Sequence, residues 1–278
     1  MTSLEQEVKL IARKPLPLPV LADALARLGL ATGPAEHVHV RDLYLDTPDF
    51  WFYRAGVACR LRIRAGWTSL GLKTLTPSRR GFAARTELEE VLARPPPEPL
   101  TRVPGRALAA RCRRLTGSSA IRILFEIEQQ RVVLEARAPD GLRVAVSADY
   151  CRIGKSARPF HELELELCAG QDADLRRLGK RLRKQLRLKT GRCSKFERGL
   201  GALRIAVPPP PPVLPRLTTD MDFGPAVYRI LQSQYDLFTW NLPGTLLGLD
   251  PERLHELRVA ARRTAAVLQI VAFVLPGT

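Results

Sequence analysis

Alternation of apolar and polar residues dominates the first two hundred residues of the chain. Every second position is apolar in eight segments, the pattern of strands with one buried face. These segments are 4–11, 38–45, 57–64, 69–75, 85–92, 121–134, 142–148 and 162–167. Leucines recur at helical spacing in two further segments, 18–28 and 172–188, with Gly191 as the expected helix stop. The pattern predicts an α+β fold of many antiparallel strands with a few flanking helices.

A proline run marks a boundary near residue 207. Five consecutive prolines occupy 208–212, and such runs favour an extended, semi-rigid linker because proline lacks an amide donor. Beyond them, 222–240 and 250–273 have helical periodicity. We therefore expect a domain over 1–206, a linker over 207–219 and a short all-helical segment over 220–278.

The composition limits the possible partners and the cellular compartment of the protein. The 278 residues are 45% hydrophobic and 26% charged, which is enough for a packed core. A net charge of +16 suits a polyanionic partner, either nucleic acid, an anionic membrane or a phosphate-rich molecule. The sequence has no signal-peptide-like start, no bilayer-length apolar stretch and five scattered cysteines without a CxxC pair. These features predict a cytoplasmic protein without disulfides or a zinc site.

The polar faces of three predicted strands are sorted by charge. One face carries Glu5, Glu7 and Lys9, another Arg60, Arg62 and Arg64, and a third Glu162, Glu164 and Glu166. A solvated antiparallel sheet also gives polar alternation, but it gains most from mixed charges, since like charges in proximity destabilise it. Sorted clusters favour a binding surface on which cations offset the carboxylates and a polyphosphate offsets the arginines.

Short motifs follow these strands in a recognisable order. They are ExExK at 5–9, YLDTP at 44–48, LRIR at 61–64, LKT at 72–74, RTE at 85–87, Arg131, Asp149, ELELE at 162–166 and SKFERG at 194–199. In this combination the sequence resembles the CYTH family, the triphosphate tunnel metalloenzymes. The resemblance covers residues 1–203 and implies an eight-stranded antiparallel β-barrel that forms a tunnel.

The resemblance also implies roles for individual residues. Glu5, Glu7, Glu162 and Glu164 would bind Mg²⁺ or Mn²⁺, with Asp149 assisting. Lys9, Arg62, Arg64, Lys73, Arg85, Arg131 and Lys195 would bind the phosphates. The catalytic set would be Glu5, Glu7, Lys9, Glu87 and Asp149, with Glu87 supporting the carboxylates or orienting a basic neighbour. Arg60 and Glu166 share these faces nearer the strand ends, and their direct involvement is left open.

The helical segment carries a second resemblance. His255, Arg258 and Arg262 share one helix face and resemble the opening of a CHAD domain, a family associated with polyphosphate. A whole CHAD domain needs more chain than 220–278, so the fragment is expected to dock on the tunnel, self-associate or be poorly ordered. A basic amphipathic helix of another purpose is the alternative.

The function predicted from these features is metal-dependent hydrolysis of inorganic triphosphate to pyrophosphate and phosphate. Thiamine triphosphatase, nucleoside triphosphatase and class IV-type adenylyl cyclase are alternatives within the fold. A polyphosphate-binding module without turnover is an alternative of another class. The expected partner is triphosphate or polyphosphate, rather than nucleic acid or membrane. A run of cations over 180–198 is either a solvated helix face or a surface that steers polyanions towards the tunnel.

Overall fold

Eight long strands close into an antiparallel barrel. The computed structural model describes residues 2–94, 96, 102–155, 158–212 and 215–272. The strands are β1 (Thr2–Ala12), β2 (Ala31–Thr32), β3 (Glu36–Asp46), β4 (Val57–Arg64), β5 (Trp67–Thr74), β6 (Phe82–Val91), β7 (Arg122–Arg137), β8 (Arg143–Ile153), β9 (Phe160–Ala169) and β10 (Lys189–Thr190). Around the barrel the order is β1-β6-β5-β4-β3-β7-β8-β9, and β9 pairs with β1 to close it. The short strand β2 pairs with β7, and the short strand β10 pairs with β1. The predicted eight-stranded barrel is confirmed.

Seven helices accompany the barrel in the described part of the chain. They are α1 (Leu18–Arg27), α2 (Trp51–Arg54), α3 (Ala107–Thr116), α4 (Asp172–Gln185), α5 (Lys195–Ala202), α6 (Phe223–Leu247) and α7 (Pro251–Ile270). The helix predicted over 172–188 ends earlier, at Gln185, and Arg187 takes a left-handed φ of 52°. The expectation that Gly191 ends this helix was therefore wrong. Within the described residues, no helix is both long and apolar enough to cross a bilayer.

The apolar faces of the strands point outwards, against helices. One buried cluster joins Val8, Leu10, Leu163 and Leu165 to leucines of α1 and α4. A second cluster, under α2 and α3, contains Leu43, Leu61, Leu70 and Leu72. Because side chains alternate along a strand, the opposite, polar faces point into the barrel. The sorted charges are therefore interior.

Helix α5 fills one end of the barrel. Its Phe196 and Leu200 join Tyr44 and Phe125 in a third buried cluster, with the Phe125 and Phe196 ring centroids 5.9 Å apart. Gly199 lies so close to Phe125 that an added Cβ would meet the ring at 2.1 Å. Helix α5 therefore packs inside one end of the barrel, which it enters at Ser194.

Helices α6 and α7 form a hairpin that docks on α2 and α3. Arg54 donates to the Thr239 carbonyl at 2.5 Å, Arg111 donates to the Leu247 carbonyl at 2.8 Å, and Leu247 is buried in the second cluster. Of the three expectations for this segment, the structure thus shows docking. The predicted division at 1–206, 207–219 and 220–278 stays a prediction, and its residues 213, 214 and 273–278 lie outside the described ones.

Candidate active site in the barrel interior

A cavity of about 250 Å³ runs through the barrel interior. Its charged lining consists of Glu5, Glu7, Lys9, Arg60, Arg62, Lys73, Arg85, Glu87, Glu89, Arg131, Glu164, Glu166 and Lys195. Ten of the thirteen predicted site residues are in this lining, and Asp149, Glu162 and Arg64 are not. Strands distant in sequence supply the two signs of charge, so the cavity exists only in the closed barrel.

Two lysines hold the carboxylates of β8 and β9 together. Lys9 lies opposite Glu164 in the β1–β9 pair, and its Nζ is 3.2 Å from Glu7 and 3.6 Å from Glu162 while also contacting Glu164. Lys195 reaches in from α5, with Nζ at 2.9 Å from Asp149, 3.0 Å from Glu162 and 2.8 Å from Glu164. Asp149 and Glu162 therefore belong to this cluster through Lys195, although they do not line the cavity.

Burial and pairing shift the pKa values of these groups in opposite directions. Burial opposes the charge on Lys9, but Glu164, Glu7 and Glu162 raise the pKa of Lys9 above its ordinary value. Burial raises the pKa of Glu162. For Glu164 burial acts the same way, yet Lys195, Lys9 and Arg131 hold its pKa well below the usual range. Lys9 is thus a cation and Glu164 an anion at neutral pH.

Arginines and a further lysine complete this half of the lining. Arg131 donates two hydrogen bonds to Asp149 at 2.8 and 2.7 Å and one to Glu164 at 2.8 Å. Arg85 donates to Glu7 at 2.6 Å, and Lys73 contacts Glu5. Each guanidinium is held by a carboxylate and keeps further donors for an anion in the cavity.

Asp42 of β3 and Gln129 of β7, which hold the predicted arginine face of β4, were not predicted from the sequence. Asp42 is fully buried and receives two hydrogen bonds from Arg62 at 2.8 Å and one from Gln129 at 2.6 Å. Arg60 lies 3.7 Å from Asp42 and donates to Glu87 at 2.9 Å. The available signal was Asp42 itself, a single acid two residues before Tyr44 and therefore on the same strand face.

Arg64 lies outside this arrangement. It is the exposed last residue of β4, and its guanidinium stacks over Trp67 at 4.2 Å. The strand ends there, so the third arginine of the alternating face no longer reaches the cavity. Arg60, left open by the sequence, lines it instead.

The sorted charges inside a closed barrel are accompanied by a match in sequence. Residues 5–200 match the CYTH domain. The chain belongs to the CYTH family. No functionally curated protein matches it.

Several solved structures resemble the CYTH domain of this chain. A Hippeastrum protein described as a putative adenylyl cyclase with a dominant triphosphatase activity has 18% identity and a TM-score of 0.46, over 71% of this chain and 95% of that one. A putative adenylate cyclase from Bacillus halodurans has 14% identity and a TM-score of 0.46, over 71% and 97%. The mimivirus capping enzyme triphosphatase has 12% identity and a TM-score of 0.34, over 64% and 90%.

The metal that the CYTH family implies agrees with the donors present. Nine carboxylates line the cavity or pair with its cations, namely Glu5, Glu7, Asp42, Glu87, Glu89, Asp149, Glu162, Glu164 and Glu166. The lining cations number seven, namely Lys9, Arg60, Arg62, Lys73, Arg85, Arg131 and Lys195. Oε2 of Glu162 is buried without a hydrogen-bond partner. Six of the nine carboxylates line the cavity itself, and this density of hard oxygen donors, with a Glu162 oxygen left without a hydrogen bond, fits a divalent cation such as Mg²⁺.

A separate group of ligand-type side chains lies far from the barrel interior. Glu252, His255 and Glu256, all at the start of α7, place one ligand atom each within 4.8 Å of one another. The three residues have one-turn spacing on a solvent-facing helix, and charged residues commonly occupy such positions. The cluster therefore adds nothing to the barrel site.

Proposed function

We propose that this CYTH domain hydrolyses inorganic triphosphate to pyrophosphate and phosphate with the help of Mg²⁺ or Mn²⁺. The observation that carries the proposal is one interior cavity lined by both a carboxylate cluster and an arginine–lysine cluster. A purely anion-binding cavity would be weakened by the six acids that line it. A cavity for a metal-complexed polyphosphate needs both signs of charge.

Glu5, Glu7, Glu162 and Glu164 are the proposed metal ligands, with Asp149 beside them. A bound divalent cation would supply charge neutralisation at the phosphate oxygens. Phosphoryl transfer depends mainly on positioning and charge neutralisation, so no nucleophilic side chain is required. The protein's own part is to hold the chain of phosphates in a fixed orientation.

The cations of the lining are the proposed phosphate ligands. Arg60, Arg62, Lys73, Arg85 and Arg131 surround the cavity from β4 to β7 and would share the oxygens of three linked phosphates. Their carboxylate partners fix the guanidinium planes before the substrate arrives, which lowers the cost of ordering them.

The reaction balances without any further reactant. The oxygen of a water molecule bonds to the terminal phosphorus, and the bond from that phosphorus to the bridging oxygen breaks. Pyrophosphate leaves with the electron pair, and the proton of the water passes to a carboxylate of the lining. Glu87, a lining carboxylate outside the proposed metal ligands, is the proposed acceptor.

The test compares phosphate release from inorganic triphosphate, ATP and thiamine triphosphate with Mg²⁺, with Mn²⁺ and with EDTA. Glu164→Gln should lower kcat by at least about a hundredfold, the scale of losing a charged group at a reacting phosphate. Glu128→Gln is the matched control, because Glu128 is an exposed acid that pairs with Arg152 on the outer face of the same barrel. This control should keep full activity.

The outcomes separate the candidate functions. Metal-dependent cleavage of inorganic triphosphate, lost in Glu164→Gln alone, supports the proposal. Faster cleavage of ATP or thiamine triphosphate would show that this compound, and not inorganic triphosphate, is the preferred substrate. Tight triphosphate binding without turnover of any compound would make the cavity a receptor and remove the catalytic roles. The CHAD resemblance of α7 stays a prediction, and its His255, Arg258 and Arg262 are exposed.

A further inference from the structure

The solvent face of α4 and the segment after it carry a concentration of cations. Leu175, Leu178 and Leu182 turn one side of α4 into the core. The opposite side and the following residues expose Lys180, Arg181, Arg183, Lys184, Arg187, Lys189 and Arg192. We call these seven residues the α4 band.

The α4 band has no acidic partners among the described residues. The two acids of α4, Asp172 and Asp174, lie in its first turn and pair with Arg176 and Arg177. Beyond that turn no carboxylate lies within ion-pair distance of the band, in the part of the chain that the structure describes. Exposed like charges repel one another, so such a band costs stability unless an external anion offsets it.

The band leads to the cavity. Thr190 of β10 packs against Gly81, and Ser78 donates to the Gly191 carbonyl at 3.2 Å, so the turn that carries Arg79 and Arg80 adjoins β10. The chain then continues through Arg192 to Ser194, which lines the cavity. Cations therefore extend from the outer surface of α4 to the lining of the barrel interior.

We propose that the α4 band binds the distal part of a linear inorganic polyphosphate whose end occupies the barrel cavity. This inference rests on the proposed function, because it treats the band as the approach to a phosphate-binding cavity. A longer chain has units left outside the cavity for the band to contact, so the band would confer a preference for longer chains. A polyphosphate carries a charge at every unit and no other recognition group, and the band likewise offers charge alone.

Single-stranded nucleic acid is the less suitable occupant. Proteins that bind it interleave basic residues with aromatic side chains on which the bases stack. Residues 172–194 contain no Phe, Tyr or Trp. The band therefore offers the cations of such a surface but no aromatic side chains for base stacking.

The test measures binding of a fluorescently labelled polyphosphate of about one hundred units in EDTA, where turnover is suppressed, at several salt concentrations. The band variant is Lys180→Gln/Lys184→Gln. The control is Arg113→Gln/Arg114→Gln, which removes the same charge from exposed positions of α3, a helix packed on the second cluster instead of the first. Thermal melting of both variants checks that each is folded.

The band variant should bind the long chain more weakly, and the slope of log Kd against log salt should fall by about two, one per phosphate contact removed. The control should leave both quantities unchanged, and KM for triphosphate should be unchanged in both variants. Equal loss in both variants, or no loss in either, would overturn the proposal. The proposal would also be overturned if single-stranded RNA of equal charge bound more tightly than polyphosphate and the band substitutions weakened that binding.

Failure of the proposed function gives a different result. Wild-type protein that cleaves no triphosphate, but loses polyphosphate binding only in the band variant, would leave the band assignment intact and remove the hydrolysis. If the protein cleaves triphosphate but the band substitutions leave polyphosphate binding unchanged, the proposed hydrolysis would stand and the band assignment would be wrong.

Discussion

Asp42 holds two of the seven cations that line the cavity and does not line the cavity itself. Its buried carboxylate accepts hydrogen bonds from Arg62 and Gln129 and lies near Arg60. Burial opposes the negative charge, but Arg62 and Arg60 hold the pKa of Asp42 well below its usual range. The group is therefore ionised in the fold at any pH where the protein is expected to work.

Asp42→Asn should be destabilised by about 3 kcal/mol at neutral pH, since it leaves the half-buried Arg62 guanidinium without its carboxylate partner and removes one of the two carboxylates near Arg60. An acid whose pKa is depressed by folding contributes stability fully above its unfolded pKa, 3.8, and loses that contribution as the pH falls below it. The gap in melting temperature between wild type and Asp42→Asn should therefore be constant above about pH 5 and narrow as the pH falls from about 4 to about 2. A gap that is constant over this range would contradict the ionised assignment. Asp172→Asn, which alters an exposed pair on α4, is the control.

Alternation along a strand is visible in the sequence, whereas pairing between strands is not. This difference explains why most interior residues were predicted and why Asp42 was missed. Strand alternation with a period of two assigns residues such as Glu162 and Glu164 to one face, and repeated charges on that face are conspicuous. Asp42 is an isolated charge on its strand face, beside Val40 and Tyr44, and Gln129 is an uncharged residue next to Arg131 on the inner face of β7. Their role depends on cross-strand partners such as Arg62, and register between strands is not visible in one sequence.

At the scale of elements, α5 links the apolar packing at one end of the barrel to the candidate site. The same helix carries Phe196, which packs in the third buried cluster, and Lys195, which lines the cavity. Gly199→Ala should destabilise the protein by about 1–3 kcal/mol, the usual cost of overpacking, since the new methyl group meets the Phe125 ring. Displacement of α5 should also weaken triphosphate binding through Lys195. The measurements are denaturant unfolding and isothermal titration with triphosphate in EDTA.

Gly201→Ala is the matched control on the same helix. No atom lies within 4 Å of the position of its added Cβ, so the substitution should be neutral or stabilise by up to about 1 kcal/mol through helix propensity. Equal destabilisation by both alanines would mean that the helix, and not the contact with Phe125, is the sensitive feature.

Two of the elements that the sequence analysis missed differ in the signal they offered. Helix α2 has four residues, too few for a hydrophobic repeat. Helix α3 has ten residues and buries Leu108, Cys112 and Leu115 at helical spacing, so its periodicity was readable in the sequence. Helix α5 did carry a signal, because Ser194 and Glu197 form a capping box whose S-x-x-E spacing is readable in the sequence. Long elements such as α4 and β9 were predicted because their periodicity is sustained.

At the scale of the whole molecule, the barrel places its charges inside and its apolar faces outside under helices. Six carboxylates line one cavity, so a divalent cation that binds them should stabilise the fold. At a concentration one hundred times Kd the gain is about 2.7 kcal/mol, or about 5 °C in melting temperature for a chain of this size. Thermal melting in Mg²⁺ against EDTA at equal ionic strength measures it. Glu164→Gln should abolish the increase, whereas Glu128→Gln should retain it.

The pairing of β1 with β9 has a consequence for how the chain is synthesised. The two strands are about 150 residues apart in sequence, so β1 leaves the ribosome well before the strand that closes the barrel against it. Translation at about 5–20 residues per second leaves β1 waiting for roughly 10–30 s. During that interval Glu7 and Lys9 lack their partners on β9, and the apolar face of β1 lacks α4. The nascent barrel is an open sheet with two unpaired edges, the state in which a chaperone has most to protect.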